Sequence, residues 1–93
     1  MALFHVHMKI NIPHDMPAEE REKLFAAERE FSQKQQNSGK WPMIWRVAGQ
    51  FANISVLDVA DADELHSIIS SLPMFEYMDI NVTPLAKHPN DVK

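Results

Sequence analysis

Cysteine is absent from this 93-residue chain, and glycine occurs only at Gly39 and Gly49. The first absence removes disulfide staples and thiolate nucleophiles; the second removes both the phosphate-cradling Walker loop and the dinucleotide fingerprint. No cofactor is expected. Charge of one sign is also missing as a cluster: nine basic and thirteen acidic residues give a net charge of −4 with no Lys/Arg run, which argues against a nucleic-acid partner. No apolar run approaches the roughly 20 residues of a membrane span, and no apolar leader opens the chain. A cytoplasmic protein without a membrane partner is expected.

Hydrophobic residues make up 45% of the sequence, enough for a single domain over residues 1–93 with one modest core. Leu3 to Ile12 alternates, with Phe4, Val6, Met8, Ile10 and Ile12 on one side and His5, His7, Lys9 and Asn11 on the other. That pattern is a strand with one buried face. Pro13 and Pro17 break it, Asp15 is a candidate N-cap, and Glu19, Glu20 and Glu22 favour the first turns of a helix starting near Met16. The helix is expected to run to Asn37, with Gly39 as its left-handed C-cap.

Met43–Ala48 and Phe51–Val59 read as two strands of a hairpin joined at Gly49-Gln50. Asp61 followed by Glu64 marks the start of a second helix, whose stripe Ala62, Leu65, Ile68, Ile69 and Leu72 is ended by Pro73. Met78, Ile80 and Val82 alternate with polar residues in a fourth strand before Pro84. The order βαββαβ predicts an α+β, ferredoxin-like fold: a four-stranded antiparallel sheet with two helices on one face. The other face is left bare, and Trp41, Trp45 and Phe51 are expected to add aromatic surface there, so association of subunits is anticipated.

Chemistry concentrates on few residues. In the first helix Leu24, Ala27, Phe31 and Gln35 define a buried stripe, and Glu28 falls within its arc. Burial raises a carboxylate's pKa, as a general base working near neutral pH requires; an ion pair or an outlet to water at the edge of the stripe is the alternative. Arg46 offers a planar fork suited to a substrate carboxylate, or else pairs with Glu28 or Asp58. Asn53 and Tyr77 could donate hydrogen bonds to a carbonyl oxygen or serve turn and strand-edge roles. His5 and His7 share a strand face but have no third or fourth ligand, so no metal site is expected. His66 reads as a boundary residue, and Ser55 lacks a nucleophile elbow.

Leu3-Phe4-His5-Val6, Trp45-Arg46-Val47-Ala48-Gly49, Ala52-Asn53, Ser55-Val56, Leu72-Pro73, Phe75, Tyr77-Met78-Asp79-Ile80 and His88-Pro89 occur in that order. Together they resemble the muconolactone isomerase family over nearly the whole chain. The resemblance implies a ferredoxin-like fold, a ring-shaped homodecamer and a place in aromatic catabolism after catechol ring cleavage, in the β-ketoadipate route. It implies a small anionic lactone as substrate and a double-bond shift that yields 3-oxoadipate enol-lactone. Glu28 matches the family's helix glutamate as catalytic base, with Arg46, His5, Asn53, Tyr77 and Trp45 as substrate-binding residues. This chain departs from the pattern at Phe25, where the family has lysine, and at Gln50 and Phe51, where it has histidine and tyrosine. A related branch releases chloride from chloromuconolactone and carries glutamine in place of the helix glutamate; Glu28 favours isomerisation. A domain that binds a lactone without converting it is a third reading.

Overall fold

The computed structural model describes residues 2–92. Strand β1 spans Ala2–Ile10, helix α1 Ala18–Asn37, β2 Met43–Arg46, β3 Ala52–Val59, α2 Ala62–Ser70 and β4 Met78–Leu85, with a 3₁₀ turn at Phe75–Tyr77. The strands form one sheet in the order β2-β3-β1-β4, and every neighbouring pair is antiparallel. This is the ferredoxin-like arrangement expected from the order of elements.

Register decides which side chains share a face, because directly opposed residues point the same way. Phe4, Val6 and Met8 lie opposite Leu57, Ser55 and Asn53. Together they form the covered face, on which Val6, Met8, Leu57 and Ser55 have no exposed surface. Helix α2 lays Leu65, Ile68 and Ile69 onto it, followed by Leu72, and Trp41 fills the remaining space. Burial of each such aliphatic side chain contributes about 1.5–3 kcal/mol. Of α1 only Phe31 packs against this core. The helix therefore stands partly away from the sheet along the rest of its length, which opens a cleft.

Local physics accounts for the element boundaries. Asp61 caps α2 by accepting the Glu64 amide at 2.9 Å, while the Glu64 carboxylate accepts the Ala60 amide at 2.8 Å and meets Lys40 Nζ at 3.0 Å. Helix α1 begins at Ala18 after Pro17, with no side-chain cap, so Asp15 is not its N-cap and Met16 precedes it. Proline at the N-terminal boundary presets φ and lacks the amide that a cap would satisfy. The hairpin connection is longer than the Gly49-Gln50 turn expected from the sequence: β2 ends at Arg46 rather than Ala48 and β3 begins at Ala52, and within the connection the Gln50 amide donates to the Val47 carbonyl at 3.1 Å. Gly49 occupies the third turn position with φ +82°, where a side chain would be strained. Strand β4 continues through Pro84 to Leu85, which an edge strand tolerates because its outer side needs no ladder donor. Strand β1 stops at Ile10, short of Ile12.

The bare face carries Trp45, which is 65% exposed, with Met43, Leu3 and Leu85 also exposed. Trp41 and Phe51 do not lie there. Trp41 is buried in the core at 2% exposure, and Phe51, in the turn before β3, packs across from Phe25 of α1.

Candidate active site

The inward stripe of α1 comprises Arg21, Leu24, Phe25, Glu28, Phe31, Ser32 and Gln35, all half-buried except the more deeply set Ser32; Ala27 faces solvent. The i, i+3, i+4 spacing carries this stripe, and its centre is an acid. Proline at position 73 follows the end of α2 and turns the chain so that the Met74 amide faces α1. Glu28 Oε1 accepts that amide at 3.0 Å. Desolvation raises the Glu28 pKa above its ordinary value, and the Met74 hydrogen bond only partly opposes this. The result is a carboxylate held in one orientation with heightened basicity.

Around Glu28 lies an open cleft of about 360 Å³. Ile10, Phe25, Phe51 and Met74 make its apolar walls, and Arg29, Ser32 and Arg46 supply polar atoms. Phe25 and Phe51 meet edge to face with ring centres 6.0 Å apart, a favourable quadrupolar geometry. Arg46 lies on the covered face because it pairs in register with Asn53. Its guanidinium carbon sits 5.4 Å from the centre of the Phe51 ring, which steers the fork toward the cleft. Among the described residues neither Glu28 nor Asp58 comes within ion-pair distance of Arg46, and Arg29 also lacks an acidic partner. One carboxylate thus faces two uncompensated guanidiniums in a chain of net charge −4. Such a local field favours a small anion.

The other residues singled out from the sequence are dispersed. His5 alternates onto the bare face, opposed by Val56 and Thr83, and Trp45 shares that face through its pairing with Ile54; period-2 alternation separates both from Glu28 by the thickness of the sheet. Asn53 is on the covered face, but its Oδ1 accepts the Ser55 hydroxyl at 2.8 Å and it does not line the cleft. Tyr77 borders a separate depression with Asp15, Met16 and Glu20. Burial, followed by the nearby Glu76 charge, raises its phenol pKa. Among the described residues no group of three or more His, Cys, Asp or Glu side chains converges. Sequence reasoning missed Arg29, although it follows Glu28 directly in the chain.

Comparison with known proteins adds an independent line. A family model described as muconolactone delta-isomerase matches residues 2–91. The muconolactone delta-isomerase of Rhodococcus opacus is 54% identical over 93 residues, covering 100% of both chains. Muconolactone delta-isomerase 1 of Acinetobacter lwoffii is 52% identical over 91 residues, covering 98% of this chain and 95% of its own. A crystal structure of muconolactone isomerase superposes with a TM-score of 0.93 at 43% identity, over 98% of this chain and 95% of that one.

Proposed function

The chain belongs to the muconolactone delta-isomerase family, and from that premise we propose that it shifts the double bond of muconolactone to give 3-oxoadipate enol-lactone, with Glu28 as the proton carrier. The observation that carries the role of Glu28 is its placement: a half-buried carboxylate of raised pKa, held by the Met74 amide, in a cleft lined by Arg29 and Arg46.

In this reading the substrate carboxylate binds the Arg46 guanidinium, whose two parallel N–H groups match its geometry. Glu28 takes the proton from the γ-carbon of the lactone. The electron pair delocalises through the double bond onto the lactone carbonyl oxygen as a dienolate, and Glu28 returns the proton to the α-carbon. Atoms balance without an outside reactant. Apolar walls limit water access to the reacting carbons, and the Met74 N–H keeps one carboxylate oxygen fixed while the other faces the substrate. His5 and Trp45 would reach a substrate only from a neighbouring copy, because both lie on the bare face. Asn53 and Tyr77, which do not line the cleft, have no substrate contact in this reading.

The proposal extends to a homodecamer located in the cytoplasm. Exposure of Leu3, Met43, Trp45 and Leu85 on one sheet face supports association of copies; no described helix is long and apolar enough to cross a membrane.

The test is an ultraviolet assay of the purified protein with muconolactone and 5-chloromuconolactone in parallel, with chloride measured. Isomerisation of muconolactone is expected. Chloride release without isomerisation would move the protein to dehalogenation, and lactone binding without turnover would make it a binding domain.

A further inference from the structure

The most deeply set residue of α1 is polar. Among the described residues Ser32 and Ser55 are the buried polar side chains, and Ser32 is the buried residue of its helix. Ser55 has a firm partner in Asn53 Oδ1 at 2.8 Å. Ser32 has only the Arg29 carbonyl one turn back, at 3.2 Å, beyond the usual reach of an O–H···O bond. Ser38, Ser70 and Ser71 make the same kind of local bond at 2.7, 2.6 and 2.7 Å. The Arg29 carbonyl lies inside α1, where a carbonyl accepts the amide four residues on, so it keeps an acceptor's partner if the hydroxyl turns away. Ser32 lines the cleft with Glu28, four residues further along the same helix face. A weakly held hydroxyl therefore stands beside the base, where packing alone would take an aliphatic side chain.

We infer that Ser32 is a further catalytic residue, donating its hydroxyl hydrogen to the lactone carbonyl oxygen on which the dienolate charge collects. The inference rests on the isomerase reading and deepens it. Arg46 packs on the Phe51 ring, which meets Phe25, three residues before Glu28; the arginine thus lies toward the N-terminal side of Glu28 along α1. Ser32 lies about 6 Å toward the C-terminal side. The substrate has the matching polarity: its carboxylate arm leaves the γ-carbon, its carbonyl adjoins the α-carbon, and one base serves both carbons from between. With the arm on Arg46, the carbonyl points to Ser32. The role was open. Among the residues expected from the sequence to polarise this carbonyl, His5 lies on the other sheet face, Tyr77 borders another depression, and the Asn53 carboxamide is bonded to Ser55. Of the remaining cleft donors, the Met74 amide is held by Glu28, and Arg29 is exposed, turned about 100° around the helix from Glu28. As the γ proton leaves for Glu28, charge moves to the carbonyl oxygen, and the hydroxyl gives up its long local bond for a strong one to that oxygen while keeping its proton.

The experiment is steady-state kinetics on muconolactone across pH for the wild type, Ser32→Ala and Ser32→Cys, each checked for its thermal midpoint. Alanine suits a helix interior, and cysteine fills the site with a poor donor. Loss of the donor predicts a fall in kcat of about 10- to 10²-fold in both variants, with KM changed by less than about threefold and the acidic limb where the wild type has it. An unchanged kcat in Ser32→Ala overturns the inference, as does a raised KM at constant kcat. Full activity in Ser32→Cys with loss in Ser32→Ala makes the role one of packing and overturns it; a displaced acidic limb does so by showing that Ser32 acts through Glu28. Wild-type protein that does not turn over muconolactone overturns the isomerase reading and this inference together, whereas active wild type with fully active Ser32→Ala overturns this inference alone.

Discussion

Replacing Glu28 by glutamine separates the chemical role of the carboxylate from its structural one. The amide oxygen of glutamine can still accept the Met74 N–H that Glu28 accepts at 3.0 Å, so the link between α1 and the segment after α2 survives. The negative charge does not. A general base supplies about 10²–10⁴-fold, so kcat should fall by at least about 10², or about 2.7 kcal/mol of transition-state stabilisation. Stability should move the other way. Burial raises the folded-state pKa of Glu28 above its ordinary value of 4.5, so the native state binds the proton more tightly than the unfolded chain does. Native stability therefore declines as pH rises from 4.5 through the folded pKa, and the full cost of the ionised group is present above that. Glutamine removes this cost: at neutral pH its thermal midpoint should equal or exceed that of the wild type, and the advantage should vanish below the unfolded pKa. Glu28→Ala makes the contrast. It leaves the Met74 amide without its acceptor, and because the cleft is open to water the penalty falls near the lower end of the 1–3 kcal/mol range, about 1 kcal/mol. In a domain of this size that lowers the midpoint by about 4–8 °C. Calorimetry at matched protein concentration, paired with the lactone assay, reads both effects. Glutamine activity within tenfold of wild type would refute the base assignment, and a glutamine variant less stable than the alanine variant would refute the account of burial.

The acidic limb of kcat/KM should lie above the ordinary carboxylate range, because the active form is the deprotonated Glu28 whose pKa desolvation raises; a limb at or below 4.5 in a pH-rate profile would contradict this. Arg46→Gln should raise KM for muconolactone by on the order of tenfold or more, since a fixed bidentate contact to the carboxylate is lost; an unchanged KM would remove Arg46 from binding. Asp61→Ala should destabilise the fold by about 0.5–2 kcal/mol through loss of the α2 cap, measured by urea denaturation, with kcat unaffected because the cap lies outside the cleft.

Period-2 alternation and capping chemistry made most of the fold legible in the sequence. Phe4, Val6 and Met8 are buried as the alternation requires, and Asp61 with Glu64 starts α2 where the capping pattern places it. The position of Glu28 on the inward stripe was legible too, because a 3.6-residue repeat fixes which side chains share a helix face. Element ends were less so. Pro17 displaced Asp15 as the start of α1, and Pro84 did not end β4, since the effect of a proline depends on whether its missing amide was needed.

What the sequence by itself determined is therefore local: the elements and their order, the inward face of α1 and the acid at its centre. Tertiary structure alone decided which of those residues meet. Trp45 and Arg46 are adjacent in the chain and equally eligible by pattern; pairing with Ile54 and Asn53 sends the first to the bare face and the second to the cleft. Trp41 went to the core and Phe51 to the cleft wall, neither to the bare face. Register, crossover and helix stand-off are non-local quantities: they arise from which hydrophobic faces satisfy one another, and no window of the chain contains both partners.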